Sequence, residues 1–194
     1  ATLILNLSAS DETVGKAPYR RALVTGQSAR LLCGYVYADA GEGESTTDLV
    51  FAGHNLIAEN GALLSERRFA SGLTISEVDV ARLAYERRRM NTYPSRDGRE
   101  EALLHGLWRT GFSLESATTT LTRYVSPTPF VPEDAADRAE RCEEILKVAA
   151  LGLKKRLEHT HAAAAVVGLS GGLDSTLAIL ITAVAMGLLD RPAS

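Results

Sequence analysis

Cysteine is scarce in this 194-residue chain: Cys33 and Cys142 stand far apart, in segments of different character. Two such residues supply neither a disulfide framework nor a metal-ligand cluster, and their sparing use fits a reducing compartment. Positive charge is not in excess either. The 21 Lys and Arg against 24 Asp and Glu leave a net charge of −3, without the basic surplus that nucleic-acid binding normally shows. No nucleic-acid partner is therefore expected. No stretch joins a charged start, a short apolar core and a small-residue cleavage site, and the longest apolar run, Thr176 to Leu189, is too short for a bilayer. The expectation is a cytoplasmic protein with no membrane contact.

With 45% hydrophobic and 23% charged residues, the composition is that of an ordinary globular protein, long enough for one large domain or two modest ones. The chain opens inside the strand-like run ATLILNLSAS, without an initiator Met, and closes just after a single helical pattern. It is expected to be a piece of something longer.

Thr2 to Leu7 is expected as a buried strand, followed by the hydroxyl-rich turn Ser8 to Asp11. A helix is predicted from Ala17 to about Arg30 with Ala22, Leu23, Gly26 and Ala29 inward, then a strand from Leu31 to Ala38 and a loop from Gly41 to Ser45. Three short strand-like runs, LVFAGHNLIAEN, ALLSERRF and LTISEVD, predict an antiparallel meander with Glu59-Asn60-Gly61 as a hairpin turn. Asp79 to Arg89 returns to helical spacing, broken by Pro94 and Gly98; Trp108 to Pro132 is threonine-rich and extended, and a domain boundary is placed there. Cys142, Ile145, Leu146, Ala149, Leu153 and Leu157 then mark the inward stripe of a helix over Asp134 to Leu157. The run HAAAAVV reads as a strand, and the order helix, strand, loop, helix is the opening of a doubly wound α/β domain.

That loop is Gly168-Leu169-Ser170-Gly171-Gly172-Leu173-Asp174-Ser175. No Lys ends it, so it is not GxxxxGK[ST], and a GxGxxG dinucleotide turn is also absent. Adjacent glycines ahead of a helix allow positive φ and a close backbone approach, so successive N–H groups can converge on an anion that the helix dipole also favours. A plain turn needs one glycine and no flanking Ser and Asp.

SGGLDS has the SGGxDS pattern of enzymes that split ATP between its α- and β-phosphates and grip the leaving pyrophosphate. Upstream, LILNLSAS, VGKAPYRRALV and GYVYADAGEGESTTDLVFAGHNLIAENGALLSERRF look like the later half of a carbon–nitrogen hydrolase (nitrilase-like) domain. That order resembles the glutamine-dependent NAD(+) synthetase family over nearly the whole chain. The resemblance implies an α/β protein in two parts. Residues 1–125 would be the C-terminal part of an α-β-β-α nitrilase-like sandwich; residues 126–194 would be the linker and the start of a doubly wound, adenine nucleotide α-hydrolase-like synthetase domain.

It also implies a ligase that adenylates deamido-NAD(+) with ATP and magnesium, releases pyrophosphate, and makes the amide with ammonia from glutamine, with no tightly bound cofactor and as a homo-oligomer. The ATP contacts fall on Gly168, Leu169, Ser170, Gly171, Gly172, Leu173, Asp174 and Ser175, with Asp174 orienting the loop or helping to hold magnesium. Ser10 and Lys16 fall where the family holds glutamine; the plain alternative is a turn Ser and a surface Lys. The Glu–Lys–Cys set that hydrolyses glutamine lies upstream of LILNLSAS in the family's order. No catalytic residue is thus located here, and the segment alone is expected to be inactive. The alternatives are another amidotransferase with the same loop, such as a GMP or asparagine synthetase, and a non-catalytic assembly module.

The remaining candidates carry blander readings. Cys33, in an apolar strand, and Cys142, on a helix stripe, are expected as packing residues. Arg87, Arg88 and Arg89 end a helix, where cations suit the dipole, as a solvated face or a subunit contact. His159 and His161 lack partners at metal-ligand spacing. Glu42 and Glu44 are an exposed acidic turn or line the glutaminase entrance.

Overall fold

A computed structural model of the chain describes residues 1–44, 48–93, 108, 110–115 and 117–189. The chain divides into two compact units, Ala1–Tyr124 and Val125–Ser194. In the first, strands β1 (Leu3–Ser8), β2 (Gly34–Asp39), β3 (Asn55–Glu59) and β4 (Ala62–Arg67) form one mixed sheet in the order β1-β2-β3-β4. β1 and β2 run parallel; β2, β3 and β4 are antiparallel neighbours. The parallel pair needs a crossover, and helix α1 (Lys16–Leu31) provides it.

The buried face of α1 differs from the predicted stripe. Ala17, Arg20, Val24 and Ser28 turn inward at helical spacing, whereas Ala22, Leu23, Gly26 and Ala29 face solvent. Two of the four inward residues are polar, so hydropathy alone selects the wrong face. Ser28 Oγ donates to Cys33 O at 2.7 Å, and Arg20 enters an ion network described below. Val24 packs with Tyr37, Leu56 and Ala58 as the core, flanked by Tyr35 and Leu63.

The expected strand from Leu31 begins three residues later because α1 ends in a Schellman motif. Cys33 N–H bonds Ser28 O, Leu32 N–H bonds Ala29 O, and Leu32 takes a left-handed φ of 46°. That conformation costs a non-glycine residue about 1–2 kcal/mol. Arg87 offsets it by donating to Leu31 O and Leu32 O, both at 2.9 Å, and to Ala1 O at 2.6 Å. Arg87 is therefore committed to the end of α1 rather than standing on a solvated face.

The hairpin expected at Asn60-Gly61 is present. Both residues have positive φ, 46° and 87°, as a type I′ two-residue turn between β3 and β4 requires. The third strand of the meander, LTISEVD, does not form. That segment joins no sheet and is tied to its neighbours through side chains: Arg67 Nη1 donates to Leu73 O, and Glu77 accepts from the Thr122 and Arg123 amides. These amides hold the Glu77 carboxyl below its ordinary range. Asp79 then caps helix α2 (Val80–Arg89) by accepting from Arg82 N–H, and α2 buries Leu83.

Tyr35 and Tyr37 pair in register with Ile4 and Asn6 on the α1 side of the sheet, so alternation puts Leu3, Leu5 and Leu7 on the opposite face. There Leu5 is 70% and Leu7 87% exposed.

The second unit holds helices α3 (Ala135–Thr160) and α4 (Leu173–Gly187), which pack on each other. Asp134 caps α3 by accepting from Ala136 and Asp137 N–H, and a second Schellman motif at left-handed His161 ends it. Leu146, Ala149, Leu153 and Leu157 turn inward as predicted, but Cys142 and Ile145 are exposed. HAAAAVV is not a strand. Among the described residues this unit has no other strand for it to pair with, and a lone strand leaves its N–H and C=O groups without partners. The opening strand expected for a doubly wound domain is accordingly not formed, while the helix, loop and helix around it are. The break at Pro94 and Gly98 and the loop residue Ser45 lie outside the described residues. No helix among the described residues is long and apolar enough to cross a membrane.

Candidate functional site

The glycine-rich loop ends in the first turn of α4. Gly171 takes φ 83°, which only glycine adopts readily, and Gly172 is the N-cap residue with no side chain to satisfy the first N–H groups of the helix. Three hydroxyls gather around that uncapped end. Ser170 Oγ and Ser175 Oγ are 3.2 Å apart, Ser175 Oγ donates to Gly172 O at 3.0 Å, and Thr176 Oγ1 donates to the same carbonyl at 2.9 Å. Asp174 is the one acidic residue of the turn. Gly168 to Ser175 thus run as an exposed loop into the first turn of α4, with N–H donors, the helix dipole and two facing serines, the composition of an anion cradle.

Among the described residues no three of His, Cys, Asp and Glu converge on a metal site. A single carboxylate with hydroxyl neighbours suits magnesium carried mainly by nucleotide phosphates, since that ion keeps several of its waters and takes one or two protein carboxylates.

In the first unit, Ser10 and Lys16 bracket the turn from β1 into α1. Ser10 N–H donates to Asp39 Oδ1 at 2.9 Å, and Ser10 Oγ accepts from Arg20 Nη2 at 3.1 Å. Lys16 Nζ reaches Asp11 O at 2.6 Å and Asp11 Oδ1 at 2.7 Å, and this bond holds the Asp11 carboxyl below its usual range. Neither residue is a free surface group. Both sit beyond the carboxyl ends of the two parallel strands, the usual location of a ligand in such a sheet.

A network that sequence reasoning missed lies directly behind this turn. Arg20, 3% exposed, donates through Nη1 to Glu12 Oε2 and His54 Nδ1, each at 2.9 Å. His54 is fully buried, and its Nε2 lies 2.7 Å from Glu66 Oε1. A guanidinium can only donate, so Nδ1 accepts and the Nε2 proton points at Glu66. Arg21 completes Glu66 with two bonds, and Arg68 Nη2 bonds Glu12 Oε1. Burial alone would push Glu12 up, but bonds from Arg20 and Arg68 outweigh it and hold its carboxyl below the ordinary value. The Arg21 bond does the same for Glu66. The available signal was an arginine at a core position of α1, one turn from Ala17 and from Val24.

A hollow of about 510 Å³ lies against the end of β2, lined in part by Asp39, Glu42, Glu44, Phe51 and Phe69. Glu44 closes its own loop by accepting from Gly41 N–H at 2.9 Å. Cys33 is buried, which pushes its thiol up and away from thiolate chemistry.

The model of the NAD synthase family matches residues 145–191, the segment from the middle of α3 through α4. The chain is similar over its full length to glutamine-dependent NAD(+) synthetases, at 42% identity over 199 residues to that of Mycobacterium tuberculosis (strain ATCC 25618 / H37Rv) and 43% to that of Mycobacterium leprae (strain TN). It spans 29% of the length of these curated relatives. Among solved structures, a glutamine-dependent NAD(+) synthetase from Cytophaga hutchinsonii aligns at 38% identity over 39% of this chain and 13% of that one, with a TM-score of 0.35. The enzyme from Acinetobacter baumannii, in complex with ADP, aligns at 22% identity over 95% of this chain and 26% of that one, with a TM-score of 0.37. Overlaps this low say nothing of a shared three-dimensional arrangement.

Proposed function

We propose that this chain is the central part of a glutamine-dependent NAD(+) synthetase, joining the end of a nitrilase-like glutaminase domain to the phosphate loop of the synthetase domain. The observation that carries the reading is similarity at 42% identity across the full length, from the glutamine-side turn to the phosphate loop. A relative of the synthetase domain alone would not match the first unit, and a different amidotransferase would carry a different glutaminase.

In this reading Gly168 to Ser175 hold ATP. The carboxylate of deamido-NAD(+) is a poor acylating agent until it is converted to a mixed anhydride with AMP. That step expels pyrophosphate, and the loop's role is to stabilise the departing charge. The N–H groups of Ser170 to Leu173 supply donors to it, and the hydroxyls of Ser170 and Ser175 join them once Ser175 releases the Gly172 carbonyl. Asp174 orients the loop beside the magnesium that enters with the nucleotide. Ammonia then displaces AMP to give the amide.

On the other side, Lys16 pairs with the α-carboxylate of glutamine and Ser10 bonds its polar end. Lys16 turns from Asp11 to do so, exchanging one carboxylate partner for another. The exposed leucine face of β1 fits the nitrilase-like sandwich, in which such a sheet face is covered by a second sheet. A cytoplasmic homo-oligomer completes the proposal.

The test is product analysis with the full-length enzyme. Deamido-NAD(+), ATP and glutamine should yield NAD(+), AMP and pyrophosphate. Release of ADP and phosphate, or no NAD(+) at all, contradicts the reading.

A further inference from the structure

We infer that Arg20 is a positioning residue for the glutamine site, fixing the Ser10–Asp11 turn through its two terminal nitrogens; this rests on the glutaminase reading of that turn. Nη2 reaches Ser10 Oγ at 3.1 Å, Ser10 O at 3.4 Å and Asp11 O at 3.3 Å, so one guanidinium arm holds both residues of the turn. The other arm is held in turn by Glu12 and His54. Asp39 Oδ1 accepts from Ser10 N–H at 2.9 Å, and its second oxygen lies 3.7 Å from Arg20 Nη2.

The two candidate glutamine contacts are thereby joined. The Asp11 carbonyl that Arg20 reaches also accepts from Lys16 Nζ, so displacing the turn displaces Ser10 directly and Lys16 through Asp11. An ammonium could not substitute. Its donors radiate from one nitrogen, whereas here the acceptors are divided between two nitrogens of a planar fork.

The role is more than burial of a charge. Glu12 and His54 alone would satisfy a structural arginine's Nη1, yet Nη2 is spent on the turn. The fully buried His54, braced by Glu66, sets the angle at which that second arm arrives.

The experiment compares wild type, R20K, S10A and the double variant of the full-length enzyme, with glutamine and separately with ammonia as nitrogen donor. R20K should raise the KM for glutamine about tenfold while kcat changes by less than about threefold, the pattern of lost substrate positioning. Ammonia-supported synthesis should not change. Added to S10A, R20K should raise KM by less than about twofold, because residues acting through one another are not additive. An unchanged KM in R20K, or full multiplication of the two effects, overturns the inference. If R20K does not fold, H54N and H54L carry the test. Asn retains an acceptor toward Arg20 and should keep the wild-type KM, whereas Leu should raise it; equal KM in both overturns the inference. Absence of NAD(+) formation by wild type with either donor would instead refute the enzyme reading itself.

Discussion

Arg20 and His54 meet at 2.9 Å inside the first unit, one always a donor and the other made an acceptor by it. From that contact, charge alternates outward through Glu12 to Arg68 on one side and through Glu66 to Arg21 on the other. The turn that carries Ser10 rests on this chain. The stability of this unit and the position of that turn are therefore linked through the same side chains.

Replacing Glu12 with Gln should be severely destabilising. Arg20 would remain buried with only the more distant Asp39 carboxylate, at 3.7 Å, and breaking a buried pair by removing one partner costs about 3–5 kcal/mol. Urea unfolding of the full-length protein, followed by circular dichroism, measures the loss.

Acid should weaken the same unit. Glu12 and Glu66 have folded pKa values below the ordinary 4.5, so each contributes stability above its unfolded pKa that is lost as pH falls through the depressed folded value. Thermal midpoints should fall with pH through and below that ordinary value, and E12Q should flatten the dependence.

In the phosphate loop, S175A should weaken ATP binding by about 1–3 kcal/mol, the range for a hydrogen bond to a charged group. Titration of ATP against the full-length protein reads this directly. Wild-type affinity and turnover in S175A would remove Ser175 from the cradle.

Two glycines of that loop should respond differently to alanine. Gly171 has φ 83°, so G171A strains the backbone by about 1–2 kcal/mol and should distort the loop and weaken ATP binding. Gly172 has φ −84°, and an added Cβ would stand 3.6 Å from Ser170 Oγ, an ordinary contact. Folding stability should therefore fall more in G171A than in G172A, where Ala is only a poorer N-cap than Gly, as measured by thermal unfolding.

Local signals in the sequence were legible where they rest on backbone chemistry. Asn60-Gly61, Asp79 and Asp134 mark a hairpin and two helix starts because positive φ and orphan N–H groups demand those residue types. Patterning failed where tertiary demands differ from hydropathy. α1 buries Arg20 and Ser28 while leaving Leu23 half exposed, because an ion network takes up Arg20 and the Cys33 carbonyl takes up Ser28 on the face where Val24 meets the core. HAAAAVV has strand character, but a strand forms only beside another. Gly168 to Ser175 stood out by their glycines ahead of a helix and Ser10 and Lys16 through resemblance, whereas Arg20 and His54 were not singled out. Their role depends on a contact between residues 34 positions apart that no local pattern announces.

The most direct measurement follows the amide nitrogen. Full-length enzyme is supplied with deamido-NAD(+), ATP and glutamine labelled with 15N in its side-chain amide, and products are resolved by mass spectrometry. The account predicts NAD(+) carrying the label, with one AMP formed per NAD(+). Unlabelled NAD(+), or ADP in place of AMP, would contradict it.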